Sequence, residues 1–552
     1  MRNLVELFVF ALVSSVCFTQ CTSEEIFKEI LEEESKDSTI TEEPIDSIVE
    51  ETDSIISEIP NPLYELIMND NQITIFAEAL KATGLNEQLK CIIDSTYNPG
   101  DYPWYYYTSD MHKEVSTVPD RKMDAYTLFI ETDSVLTQKY AILCLEDLIE
   151  FSKHIYNQTY PEDAGLYDDD YTNPKNPLYR FVAYHILKCK IDNINFLTGK
   201  IIQTENIDGP IGIRTDKINP IEWYQTLLPN TMIKCEMLTM SNWMGSECTL
   251  SNYYLNRRWD NNYQIRGSEV STPQQENSTL NGNYYYVDDI MIFTPHVRDK
   301  VQNMLIRMDF STIFPELISH GIRQNGDPMR NDNDAFADET FKNGRNYYFP
   351  MGYLYGVILK GDCHLIYRRP HLSYYDFCGD AMNLFGEYDF EFRLPPIPYS
   401  GEWQIRIGYS VTSTRGIAQF YFDGVPQGEP LDMSRSLSHE SIMGTLFTEV
   451  PYDEMTVEER IADQKALKSK GYYRGLASAY YADSKARFET LAETPRRVIY
   501  QGYIDNTKSH TLRIQNAGEK TIGNNNEFML DYIEFVPKNV YNVPDGEMES
   551  EL

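Results

Sequence analysis

The chain has 552 residues, 42% of them apolar, with 84 acidic against 48 basic side chains and a formal net charge of −36. That much apolar material excludes a wholly disordered chain, and a field of that sign excludes sequence-independent binding to nucleic acid, because it repels phosphate backbones. After the first twenty residues no run of 18 apolar residues occurs, so no further membrane-spanning helix is expected.

Met1-Arg2-Asn3 followed by the mostly apolar Leu4–Phe18 reads as a signal-peptide core, too short to span a bilayer. It ends in Phe18-Thr19-Gln20-Cys21, which resembles the relaxed lipobox of Bacteroidetes lipoproteins. The resemblance implies a signal peptide over 1–20, lipidation of Cys21 and anchoring to the outer membrane without a spanning segment. An ordinary secretory signal containing Cys21 is the other reading.

Residues 21–61 read as a disordered acidic tether. Between Thr22 and Pro60 stand 14 acidic residues and two lysines, Lys28 and Lys36. Like-charge repulsion and low hydrophobicity keep such a segment unfolded. Glu24 and Glu25, directly after Cys21, resemble the surface-export signal of the same lipoproteins, which implies exposure at the cell surface. Three Asp-Ser pairs resemble the O-glycosylation site of that phylum, which implies modification at Ser38, Ser47 and Ser54. Beyond Cys17 and Cys21, seven cysteines remain: Cys91, Cys144, Cys189, Cys235, Cys248, Cys363 and Cys378. An odd number without CxxC spacing predicts buried free thiols, not a zinc site or a disulfide framework.

Residues 62–296 mix helix and strand periodicity. Ile73–Leu85 reads as an amphipathic helix with Asn71 as cap and Gly84 as stop. Tyr126–Ile130 reads as a strand, Leu145–Tyr156 and Leu178–Leu187 as helices, and Met232–Met237 and Tyr284–Phe293 as strands. Tyr97–Met123, Asn157–Asn176 and Ser241–Thr279 read as inserted loops. Phe76, Ala79, Leu80, Gly84 and Leu85, then Tyr126 to Asp133, then Leu178, Phe181, Tyr184, His185 and Ile186, then Asn281-Gly282 through Ile290 together resemble the fasciclin domain, in the family's order. The resemblance implies an α+β fold and places Tyr184-His185 at the family's adhesion-associated dipeptide. The residues themselves put His185 on the apolar side of a helix, which predicts a hydrogen-bonded core histidine.

Residues 297–345 read as a connector with short helices near Val297–Ile306 and Pro315–Ser319. From 346 to 540 β signals dominate: Tyr353–Leu359, Glu387–Leu394, Trp403–Ser410, Ile417–Phe422, Arg497–Ile504, His510–Gln515 and Phe528–Val536, broken by a charged helical stretch over Thr456–Tyr473. Strands of this number and length predict an all-β sandwich. Gly401 to Ile407, Ala418 to Gly424, Ser509 to Ile514 and Phe528 to Pro537 resemble the galactose-binding-like jelly rolls of carbohydrate-binding modules. Residues 541–552 read as an acidic tail.

The exposed-loop aromatics Tyr105, Tyr106, Tyr107, Tyr374 and Tyr375 are candidates for stacking on sugar rings or packing on peptides. Asp327, Asp332, Asp334 and Asp338 lie in an acidic, Asn-rich loop whose oxygens suit calcium, although EF-hand spacing is missing and a solvated loop is the other reading. No HExxH, GxSxG or P-loop occurs in a supporting context, so no enzymatic activity and no cofactor other than calcium is expected. The expected function is capture of a glycan, or else a peptide, at the cell surface. The lipoprotein resemblance implies a place beside a TonB-dependent outer-membrane nutrient transporter. The competing reading is an adhesion or scaffolding protein that binds other proteins.

Overall fold

The computed structural model describes residues 62–98, 115–118, 122–191, 221–239, 251–260, 262–273, 279–322, 346–360, 363–368, 376–377, 380–448, 450, 454–476, 479–480, 492–518, 526–544 and 546–549. It is a mixed α and β structure, mostly β-sheet, and residues 61–552 form one compact unit.

In the first part, seven strands lie side by side in the order Ile186–Leu187, Tyr126–Glu131, Gly282–Val287, Ser268–Ser271, Ser251–Leu255, Met232–Thr239 and Ile221–Gln225. A Leu187–Thr226 bridge and a 2.8 Å bond from the Leu227 N–H to the Ile186 carbonyl join the two outer strands, so this sheet nearly closes into a barrel. Tyr126–Glu131 and Gly282–Val287 pair in parallel. At their start the backbones nearly touch: Gly282 has φ +152°, and a Cβ there would lie 2.1 Å from the Tyr126 carbonyl oxygen. Asn281 secures the same corner. Its amide donates to the Leu89 carbonyl at 2.7 Å and its oxygen accepts from the Leu63 N–H at 2.9 Å.

Helices Leu63–Asn69, Thr74–Ala82, Leu145–Thr159 and Pro177–Tyr184 bury Leu63, Phe76, Leu80, Leu148, Phe181 and Val182 in one core with the barrel strands. Three expectations are corrected here. The cap of Thr74–Ala82 is Asp133, not Asn71: its carboxylate accepts from the Thr74 and Ile75 N–H groups at 3.0 and 3.1 Å. The Leu178–Leu187 helix stops at Tyr184, because the His185 carbonyl is taken into the sheet by the Phe129 N–H at 3.1 Å. The supposed insertion Ser241–Thr279 supplies two barrel strands, Ser251–Leu255 and Ser268–Ser271, in which Tyr253, Leu255 and Val270 point inward.

Three five-stranded sheets make the second part. One runs Val115–Thr117, Asn346–Phe349, Cys363–Arg368, Ala381–Gly386, Glu527–Leu530; the second Ile306–Asp309, Tyr532–Pro537, Gly401–Gly408, Arg496–Ile504, Tyr472–Tyr473; the third Val357–Lys360, Asp389–Arg393, Thr511–Gly518, Ile417–Phe422, Val425–Asp432. They share one core, with Phe422 stacked on Tyr500 at 4.0 Å and Phe420 edge-on to Phe528 at 5.9 Å across sheets. Asp423 and Gly424, at φ +49° and +77°, form the tight hairpin turn that the Asp-Gly pair predicts. Asp531 marks the point where the chain leaves the first of these sheets for the second; its carboxylate accepts from the Phe377 N–H at 2.8 Å and its carbonyl from the Phe310 N–H at 3.1 Å. The Thr456–Tyr473 pattern is a helix over Val457–Lys468, started by a capping box between Thr456 and Glu459.

The stretch read as a connector contributes the edge strand Ile306–Asp309 and the buried residues Phe310, Ile313, Phe314 and Leu317 to the sandwich core. Trp223 and Met232 of the barrel belong to that core too. The tail is drawn in as well: Glu549 is buried, accepting from Arg406 and from the Tyr473 hydroxyl at 2.8 Å each.

Candidate functional site

Of the residues singled out in the sequence, Tyr184 and His185 are described. Cys21, Ser38, Ser47, Ser54, Tyr105, Tyr106, Tyr107, Asp327, Asp332, Asp334, Asp338, Tyr374 and Tyr375 lie outside the described residues. Among the described residues no group of three or more His, Cys, Asp or Glu is placed to hold a metal ion. Cys91, Cys144, Cys189, Cys235 and Cys363 are free thiols, three of them buried and Cys91 exposed.

Tyr184 and His185 are interior. Tyr184 accepts from the Asn256 amide at 2.9 Å. His185 has no solvent exposure; Nδ1 lies 2.7 Å from the Phe181 carbonyl and Nε2 2.9 Å from Glu131 Oε1. Both side chains are fully buried.

A cleft of about 300 Å³ opens where the barrel meets one end of the sandwich. The barrel contributes Lys188, Tyr224–Thr226 and the turn at Asn230; the sandwich contributes Arg393, the Pro395-Pro396 pair, Phe422, Ile504, Asn506 and Lys508–His510; Thr312, Ile313 and Pro315 form part of its wall. Its most exposed ring is Tyr355, at 66%. The Tyr355 backbone is fixed: its N–H donates to Glu316 Oε1 at 2.7 Å, and Glu316 pairs with the buried Lys122 at 3.1 Å. The Lys188 ammonium lies 5.4 Å from the centre of that ring. On the other side, the Arg393 N–H donates to the carbonyl of Gly356, the residue after Tyr355, at 3.3 Å.

Two motifs quoted from the sequence meet at the far end. His510 Nδ1 lies 2.6 Å from Asp423 Oδ2, and Nε2 lies 2.8 Å from the Asp505 carbonyl. Both nitrogens face acceptors, so the ring donates on both sides only when doubly protonated. His510 also stacks on Phe422, its centroid 5.2 Å away. The Asp505 carboxyl is held well below the usual range by the Thr507 hydroxyl, the Lys508 ammonium and the Thr507 N–H. The groups on this cleft are an exposed ring, side-chain amides of Gln225, Asn230 and Asn506, hydroxyls, and cations. They can stack on an apolar face and bond hydroxyl or anionic groups. Sequence reasoning missed Tyr355 and Arg393 because the walls come from many short segments scattered between Lys188 and Phe535; the His510 and Asp-Gly motifs were the signal that pointed here.

No family model matches the sequence, and no curated protein matches it. Among solved structures, that of a Paenibacillus xanthan lyase matches at 11% identity over 33% of this chain and 12% of that enzyme, with a TM-score of 0.19. The chain thus spans about an eighth of that lyase, and the shared path is too slight to assign either fold or chemistry.

Proposed function

We propose that this protein is a non-enzymatic, surface-exposed lipoprotein that captures a glycan in the cleft between its two parts. The barrel with its helices is read as fasciclin-like, and the three-sheet part as a galactose-binding-like sandwich. Support comes from the way the quoted motifs meet in space: His185 on Glu131, and His510 on Asp423. With Cys21 lipidated and the acidic stretch 21–61 as spacer, the cleft stands off the outer membrane, beside a TonB-dependent transporter that takes up what it holds.

The observation that carries the ligand reading is Tyr355. A ring 66% exposed, on a backbone held by Glu316, above side-chain amides and hydroxyls, suits a sugar, which offers an apolar face and a rim of hydroxyls. A shallow site of this kind binds with a Kd of about 1 µM to 1 mM. Calorimetry of the intact protein against glycan and peptide panels tests it. Glycan binding that weakens in Tyr355→Ala, with no product on long incubation, is the expected result. Peptide binding without glycan binding would replace this reading with the adhesion one.

A further inference from the structure

We infer that the cleft is selective for an anionic glycan, one that carries carboxylate or sulfate groups; the inference rests on the glycan-capture reading and names its ligand class. About one residue in seven of the chain is acidic, yet among the described residues no Asp or Glu lines the cleft, which carries Lys188, Arg393 and Lys508. A surface with a net charge of −36 repels anions at long range, so an anion is held only where cations act at contact distance. At physiological salt, charges more than about 8 Å away are largely screened, and the local set decides.

The cations differ in how free they are. Lys508 pairs with Asp505 at 3.0 Å, and His510 is committed to Asp423 and the Asp505 carbonyl. Neither Arg393 nor Lys188 makes an ion pair within 4 Å of a described residue; Lys188 feels the charge of the half-buried Asp124 carboxylate, and its ammonium and that of Lys122 lie 5.4 and 6.0 Å from the centre of the Tyr355 ring. Both are exposed. They also flank one platform. Lys188 sits 5.4 Å from the Tyr355 ring centre, while Arg393 is tied through its backbone to Gly356. A Cβ at Gly356 would lie 3.4 Å from Arg393 Cβ, so the two strands are in close contact there. A sugar ring stacked on Tyr355 therefore lies beside the Lys188 ammonium in a cleft that Arg393 also lines, and such cations bind carboxylate or sulfate by charge-assisted hydrogen bonds.

The test is calorimetry of the intact protein with an oligogalacturonate, its methyl ester and a sulfated galactan oligosaccharide, at about 50 and 500 mM salt. The expected result is that the oligogalacturonate, the sulfated oligosaccharide or both bind about tenfold or more tightly than the ester at low salt, with the margin shrinking at high salt. Which of the two binds identifies the anion. Arg393→Gln and Lys188→Gln should each remove much of that margin by weakening the acid severalfold more than the ester; Tyr355→Ala should weaken all three. Equal affinity for acid and ester, with Tyr355 still required, overturns the anionic preference and leaves glycan capture standing. Binding of none of these, nor of any neutral glycan, overturns both. Binding of an acidic peptide in their place does the same.

Discussion

His185 and Glu131 form a fully buried pair, Nε2 to Oε1 2.9 Å, that ties the end of a helix to the end of the barrel strand Tyr126–Glu131. The other ring nitrogen faces the Phe181 carbonyl, and Glu131 also accepts from the Met291 N–H at 2.5 Å. His185→Ala leaves the buried Glu131 carboxylate without its imidazole hydrogen-bond partner. The expected loss is about 3–5 kcal/mol of stability, measured by denaturant unfolding. Full stability in that variant would show that the pair is not part of the frame.

Glu534 carries the opposite lesson about charge. Burial pushes its carboxyl up, but the charges of Arg496, Arg307 and Arg406 outweigh burial and hold it at about 2, against an ordinary 4.5. A lowered folded value means the stabilisation is complete above about pH 4.5 and lost as pH falls toward 2. It amounts to ~3 kcal/mol. Glu534→Gln should cost about 3–5 kcal/mol at pH 7, because Arg307 and Arg496 lose the Glu534 charge while Arg406 keeps Glu549, and should flatten the acid limb of stability between pH 4.5 and 2. An unchanged acid limb would assign that limb to other carboxylates.

Gly282→Ala meets both a φ that L residues avoid and a carbonyl oxygen 2.1 Å from the new Cβ. Opening the Tyr126–Gly282 pairing should cost about 2–5 kcal/mol, read as a lowered Tm. Wild-type stability would mean that the strand start can shift freely.

A fragment beginning at residue 346 lacks Ile306, Met308, Phe310, Ile313, Phe314 and Leu317, all buried in the sandwich core. It should be aggregation-prone or molten, while one beginning near residue 302 should be more compact in size-exclusion and near-ultraviolet circular dichroism measurements. Equal behaviour of the two fragments would show the edge strand to be dispensable.

Lipid anchoring is tested at Cys21: Cys21→Ala should abolish incorporation of labelled fatty acid and detergent-phase partitioning. Retention of both would assign the leader to the ordinary secretory class.

The sequence conveys local patterns well and long-range closure poorly. The helix over Thr74–Ala82, the Asp-Gly hairpin and the Trp403 strand are legible because periodicity and turn chemistry are written in adjacent residues, whereas the single strand expected over Phe528–Val536 breaks at Asp531 into Glu527–Leu530 and Tyr532–Pro537 of two sheets. Asp133 as a cap was hidden because it lies 59 residues from Thr74. The edge strand Ile306–Asp309 was hidden because Arg307 and Asp309 look like surface positions until the buried Glu534 supplies a counter-charge. The cleft is the extreme case: no single segment carries enough of it to form a motif.

The link between Arg307 and Glu534 spans 227 residues. A chain made at about 5–20 residues per second exposes the first some 10–45 s before the second emerges. Through that interval Ile306–Asp309 has no strand to pair with, since Tyr532–Pro537 does not yet exist. Bare strand edges recruit other chains, so a nascent chain that stayed on one side of a membrane to fold in stages would be open to aggregation until the end of synthesis. Under the proposed export, an unfolded chain held by chaperones would skip that interval, because both strands would reach the folding compartment before either had to pair.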